Sequence, residues 1–239
     1  MAEATAATTK ASAENAAGSL LVRGPYSTTY RYTDRPTKAV YISKKYATIL
    51  RGSVLDVGCD VASLRHLVTR QDEYVGIDMR PDADIVLNLD HDTRPDGTIL
   101  PFPDKSFDTV VCTDVLEHLD RCHAVFDELC RVARDRVIVS LPNPLTNLID
   151  AIKRGSQGRL KYYGLPVEPP ADRHRWFFGF EEAAAFMTGR GKKSGFEVEQ
   201  LDFEGTLDHY WYVEPDCRDV LNSLNAKAGT SWCVLRRPG

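Results

Sequence analysis

Three groups of side chains have the types and spacing of chemistry. Asp114, Glu117 and His118 form D-x-x-E-H within TDVLEHL, residues 113–119. Two carboxylates and an imidazole at that spacing suit Mg2+ or another divalent metal. A structural role for the same residues is the plainer alternative. Asp172-Arg173-His174-Arg175-Trp176 sets a histidine among charges. His174 there suits a general base near neutral pH, with a carboxylate beside it to orient the ring. Arg173 and Arg175 suit an anionic or polyhydroxyl acceptor. Tyr162, Tyr163, Trp176 and Phe177 supply flat faces with polar edges. Phe177, Phe178 and Phe180 nevertheless read first as anchors of that segment on the core. His209, in LDHYWY, is a further candidate for an acceptor pocket, whereas His66 and His123 read as surface residues. The third group is VLDVGCDVA, residues 54–62, where an apolar run carrying Asp56 meets one glycine, Gly58, followed by Cys59 and Asp60.

These groups need a scaffold, and the pattern supplies one. Apolar runs at Val54–Cys59, Tyr74–Met79, Ile85–Leu89, Phe107–Thr113 and Arg136–Leu141 read as buried strands. Helical spacing falls at Thr37–Leu50, after Leu64, and at His123–Ala133. Such alternation, with near-continuous β-branched strands, predicts an α/β doubly wound sheet covered on both faces. Asp56, Asp78, Asp90 and Asp114 lie at or near strand ends, where ligands sit in such sheets. After Leu141 a Pro-, Gly- and aromatic-rich stretch, about 144–180, is long enough to read as a lid-like insertion. A helix over Glu181–Thr188 and strands over Phe196–Glu204 and Ser231–Arg236 close the pattern, the last expected to run antiparallel. The expected organisation is a disordered tail over 1–20 and a single domain over 21–239.

The bulk properties narrow the class. The chain has 239 residues, 43% hydrophobic, with a net charge of −4. It lacks a dense basic stripe for nucleic-acid phosphates, so no nucleic-acid partner is expected. No apolar run reaches the length of a membrane span. The Ala/Thr/Ser-rich start lacks the apolar centre of a signal peptide, so a cytoplasmic location is expected. Six cysteines make no C-x-x-C pair and read as reduced, mostly buried small hydrophobes.

The glycine turn discriminates between cofactors. A dinucleotide site needs G-x-G-x-x-G, which lets a pyrophosphate approach the backbone. Here only Gly58 is present, and Asp60 would set a negative charge beside the phosphates. S-adenosylmethionine has no phosphate. Asp56 suits its ammonium end, Gly58 a close approach of its amino-acid portion, and Asp78 both ribose hydroxyls. The ordered set VLDVGCD, GIDM and LPFPDKSFDTVVCTDVLEHL resembles class I S-adenosylmethionine-dependent methyltransferases. That resemblance spans about 52–143. It implies a Rossmann-like sheet with Asp56, Gly58, Cys59 and Asp60 in the cofactor loop. It further implies Asp78 on the ribose, Met79 against the adenine, Leu89 and Asp90 by the adenine amino group, and Asp114 beneath the methionine part. Asp60 and Ala62 stand where that family usually has glycines.

The acceptor is read from the remaining residues. Nucleic-acid amine methylators of this class usually carry Pro-Pro-aromatic after the fourth strand, where this chain has TDVLEHL. Some O-methyltransferases of the class resemble this pattern and orient a hydroxyl with a metal. YYGLP and DRHRWFF loosely resemble bacterial enzymes acting on saccharide hydroxyls. The expected activity is O-methylation of a sugar or oligosaccharide. Its candidate catalytic residues are His174, as base, and His118. Asp114, Glu117 and His118 are the candidate metal ligands, and Tyr163, Arg173, Arg175, Trp176 and His209 the acceptor contacts. Three rival readings are a small phenol, quinone-precursor or carboxylate methyltransferase, a non-catalytic S-adenosylmethionine-binding protein, and, least favoured, a dehydrogenase. Self-association into a homo-oligomer is left open.

Overall fold

The structure is a computed structural model, and it describes residues 32–153, 155, 162–204, 225–226 and 228–239. The tail at 1–20 and His209 therefore lie outside the described residues.

The strands are β1 (Val54–Val57), β2 (Tyr74–Asp78), β3 (Ile85–Val86), β4 (Phe107–Thr113), β5 (Ala133–Pro142), β6 (Glu197–Glu204) and β7 (Thr230–Arg236). The described helices are α1 (Arg35–Lys45), α2 (Cys122–Val132), α3 (Pro144–Lys153) and α4 (Phe180–Lys193). The sheet runs β3-β2-β1-β4-β5-β7-β6. Neighbours from β3 to β5 pair parallel, and β7 runs antiparallel to both β5 and β6. This is the expected Rossmann-like arrangement with an antiparallel last strand.

Alternation along the central strands divides the core between two faces. Leu55, Val57, Val110, Cys112, Val137 and Val139 pack with α2 and α4. Val54, Val111, Ile138, Trp232 and Val234 pack with α1 on the other face. Successive strand side chains point to opposite faces, so a doubly covered strand has to be apolar throughout. β1 is buried at all four positions, Asp56 included.

Several elements differ from the sequence pattern. The helix expected after Leu64 is a single 3-10 turn, Arg65–Leu67, because no apolar stripe continues past Val68. The third strand keeps two residues of the expected five. α3 falls inside the stretch read as lid; its apolar positions Leu145, Leu148, Ile149 and Ile152 have helical spacing that the Pro-Asn-Pro start concealed. α1 begins at Arg35, earlier than expected, because Asp34 caps it through the Thr37 N–H at 2.9 Å. Tyr41 and Tyr46 hold α1 against Trp232, with ring centres 5.3 and 6.0 Å away. That packing brings Lys38 to the carboxyl ends of the strands.

Candidate active site

The cofactor loop keeps a glycine-like backbone with few glycines. Gly58 has φ 78°, and a β-carbon there would lie 2.2 Å from Val115 Cγ2. Both conditions require glycine. Asp60 and Ala62 also adopt the left-handed region, each at φ 50°. That conformation costs a residue with a β-carbon roughly 1–2 kcal/mol, least for Asp and Asn. Asp60 is tied down by its surroundings. Its N–H donates to Asp78 Oδ2 at 2.9 Å, and its carboxylate meets Arg35 at 2.8 Å and Arg80 at 3.4 Å. The charge that argues against a pyrophosphate is thus turned onto two arginines.

The other cofactor-side acids are also held internally. Asp56 is buried and accepts from Tyr74 Oη at 2.5 Å. Burial pushes its carboxyl up to about 6, against the opposing hydrogen bond from Tyr74. Asp78 accepts the Arg80 N–H at 3.1 Å as well as that of Asp60. Beside it Met79 is 67% exposed, and Val86, in register with Asp78, is 57% exposed. These apolar surfaces at an acidic strand end fit an adenosine, with the sugar at the carboxylate. Cys59 packs inward: a β-carbon on Gly76 would come within 2.7 Å of its Sγ, and burial raises its thiol to about 12. Its contribution is packing and backbone, since a thiol at that value is protonated and inert. Leu89 is a core residue. Asp90 accepts from the Asp120 and Arg121 N–H groups at 3.2 and 3.0 Å, fixing the turn into α2.

Asp114 follows β4 with φ 55°. Its carboxylate meets Lys38 Nζ at 2.5 Å and accepts from Ser140 Oγ at 2.7 Å. Burial alone would raise its pKa, but Lys38 and Ser140 outweigh that and hold it below the usual carboxylate range. Lys38 and Ser140 were not singled out in the sequence. A lone lysine in an amphipathic helix and a serine in a strand carry no pattern.

The second half of the site gathers around Glu117, on the turn Leu116–His118. Glu117 is 1% exposed, and neither of its carboxylate oxygens has a hydrogen-bond partner among the described residues. Burial, then the nearby Asp114 charge, pushes its pKa well above the ordinary glutamate value. Two imidazole nitrogens face the same oxygen: His118 Nε2 at 3.6 Å and His174 Nε2 at 4.0 Å from Oε1. One potential ligand atom from each of Glu117, His118 and His174 lies within 4.8 Å of the others. A buried orphan carboxylate beside two imidazoles is a donor set that a divalent transition metal satisfies. Asp114 of the D-x-x-E-H motif is instead engaged by Lys38, and His174, 56 residues after His118, joins the cluster.

The segment after β5 packs over this turn. The Arg175 N–H donates to Glu117 O at 2.7 Å, and Trp176 Nε1 to Leu119 O at 2.8 Å. Tyr162 stacks on His174, centroids 4.3 Å apart and 9° from parallel. Tyr163 Oη lies 2.7 Å from His174 Nδ1, so it faces the histidine rather than open space. The carboxylate expected to orient His174 belongs to the other ring: Asp172 Oδ1 lies 2.6 Å from His118 Nδ1. Arg173 is exposed, and Arg175 Nε lies 3.6 Å from Asp120. An apolar cavity of about 200 Å³ adjoins Glu117, walled by Leu116, Trp176, Phe177, Phe178 and Phe186. Among the described residues no helix is long and apolar enough to cross a membrane.

Comparison with known proteins agrees with this fold. Residues 55–141 match the methyltransferase domain family. No curated protein matches the sequence. The small RNA methyltransferase HEN1 superposes with a TM-score of 0.57 at 19% identity, over 91% of this chain and 27% of that one. The methyltransferase domain of a bacterial Hen1 gives 0.52 at 18% identity, over 85% and 98%. A putative methyltransferase from Bacillus halodurans gives 0.51 at 13% identity, over 85% and 100%. The matched segment and the strand order support an S-adenosylmethionine-dependent methyltransferase built on this fold.

Proposed function

We propose that this enzyme transfers the methyl group of S-adenosylmethionine to a hydroxyl of a sugar or sugar-bearing acceptor, assisted by a divalent metal. The observation that carries the reading is Glu117, whose two buried carboxylate oxygens lack hydrogen-bond partners among the described residues while two imidazoles face Oε1. Glu117, His118 and His174 would hold the ion. Two nitrogen donors shift the choice away from Mg2+ towards a nitrogen-tolerant ion such as Mn2+. When bound, such an ion lowers the pKa of a hydroxyl and fixes its position.

The chain's own residues supply the remainder. Asp78 would accept the cofactor's ribose hydroxyls, and Asp56 would organise its ammonium end. Asp114, neutralised by Lys38, is poorly suited to removing a proton. His174 is more useful as a ligand than as a free-standing base, because its ring is buried and Tyr163 engages its outer nitrogen. The acceptor would enter beneath residues 172–178. There Arg173 suits an anionic or polyhydroxyl group and the cavity suits an apolar one.

A second reading is the ribose hydroxyl of an RNA. It is favoured by the small RNA substrate named for HEN1 and by the exposed arginine at the site's rim. The test is transfer of labelled methyl to a panel of oligosaccharides, glycosides, short RNAs and phenols, each with Mn2+, with Mg2+ and with chelator. Chelator-sensitive labelling of a sugar hydroxyl supports the proposal. Labelling of phenols alone, or chelator-resistant transfer, overturns it.

A further inference from the structure

Each imidazole facing Glu117 is gripped on its far side by a residue from the segment after β5. His118 Nδ1 lies 2.6 Å from Asp172 Oδ1. A carboxylate only accepts, so this contact places the ring proton on Nδ1. His174 Nδ1 lies 2.7 Å from Tyr163 Oη, which is also 3.2 Å from the Trp176 carbonyl. A phenol has one proton to give and a carbonyl none. The Tyr163 hydroxyl therefore donates to Trp176 O and accepts from the Nδ1–H of His174. In the neutral form of both rings Nε2 is then the lone-pair nitrogen, and both turn it towards Glu117 Oε1.

We infer that Asp172 and Tyr163 are positioning residues that fix His118 and His174 as Nδ1–H tautomers, so that both Nε2 lone pairs converge with Glu117 on one point. The functional meaning of this rests on the metal-assisted reading; the tautomers themselves do not. Outer partners of this kind set ring orientation and ligand basicity. The arrangement also joins two distant stretches of chain. Glu117 and His118 come from the turn after β4, whereas Asp172, Tyr163 and His174 come from the segment after β5. The Arg175 and Trp176 backbone and indole contacts hold the two together. The converging nitrogens exist only while that segment is docked, which couples cation affinity to its docking.

The direct test uses the metal-free full chain with 15N-labelled histidine and long-range 1H–15N correlation at neutral pH. Signals are assigned by their loss in His118→Gln and His174→Gln. The expected result is a protonated Nδ1 and a pyridine-like Nε2 on both rings. Asp172→Ala is expected to release His118 alone into a tautomer mixture, and Tyr163→Phe to release His174 alone. A protonated Nε2 on either ring of the parent protein, or no tautomer change in the variants, overturns the inference. Co2+ titration followed by visible absorption gives a second readout. Each variant is expected to bind about 10- to 100-fold more weakly with an altered spectrum. Unchanged affinity and spectrum in both variants would overturn the positioning role. Correct tautomers in a parent protein that binds neither Co2+ nor Mn2+ would instead sink the metal reading and leave the tautomer assignment standing. Tyr163→Phe keeps the ring and Asp172 is exposed, so unchanged far-ultraviolet spectra separate these effects from misfolding.

Discussion

The two halves of the site handle buried charge in opposite ways. On the cofactor side every discussed acid is answered from within the protein: Asp56 by Tyr74, Asp60 by Arg35 and Arg80, Asp78 by backbone N–H groups, Asp114 by Lys38 and Ser140. On the acceptor side Glu117 is more deeply buried than any of these, yet neither of its oxygens has a hydrogen-bond partner among the described residues, and two imidazole nitrogens stand 3.6 and 4.0 Å from Oε1. An unmatched buried polar group costs about 1–3 kcal/mol, more when charged. A half that balances its charges is preformed for its ligand. A half that leaves one open is stabilised by whatever closes it.

The largest expected effect comes from removing that unmatched carboxyl group. Glu117→Met should lower metal-dependent methyl transfer by about 100-fold or more, since it deletes a ligand. The same change should raise the stability of the metal-free protein by about 1–3 kcal/mol, because an orphaned polar group is lost. Transfer assays and chemical denaturation in chelator measure the two effects. A variant less stable than the parent without metal would break the contrast between the halves.

Lys38→Met makes the reverse experiment by opening a closed charge. Breaking a buried pair costs about 3–5 kcal/mol, and the partial exposure of Asp114 reduces this to about 2–3 kcal/mol. Urea denaturation checks it. A cost below measurement would mean that Asp114 is satisfied by Ser140 alone.

Asp56 gives a pH signature. Its folded pKa, about 6, lies above its ordinary value of 3.8. The native state therefore binds the proton more tightly than the unfolded chain. This contribution is complete below pH 3.8 and is lost as pH rises towards 6, with a total of about 3 kcal/mol. The difference in stability between the parent and Asp56→Asn should fall across that window and be flat above it. A difference that rises across the window would mean that Tyr74 and Lys38 dominate over burial.

The smallest effect concerns the loop backbone. Ala62→Gly relieves a left-handed residue and should stabilise the protein by up to about 1 kcal/mol, with a modest gain in S-adenosylhomocysteine affinity by calorimetry. Asp60→Gly should gain less or lose, because it also deletes the contacts to Arg35 and Arg80. Equal gains in both would show that those ion pairs contribute nothing.

Much of the cofactor half is legible in the chain because it is local. Asp56 and Gly58 are two residues apart, and Asp78 closes the next strand. The alternation of buried runs also fixes which end of the sheet they share. Even there the pattern misleads about the helix after Leu64, since spacing over five residues does not show whether the stripe continues. The acceptor half is legible only in its parts. TDVLEHL and DRHRW both stand out, but nothing in their spacing pairs Asp172 with His118 instead of His174, or hands Asp114 to a lysine from α1.

What the sequence determined by itself is the fold class, the strand ends carrying acids and the phosphate-free character of the cofactor loop. Each follows from residue type and short-range periodicity. Only the tertiary structure decided which carboxylate stays unanswered, which ring each outer partner holds, and that Asp60 and Ala62 retain the turns of absent glycines. Those outcomes depend on contacts between residues tens of positions apart. There the energy of one buried charge or one tautomer is set by which neighbours the packing delivers.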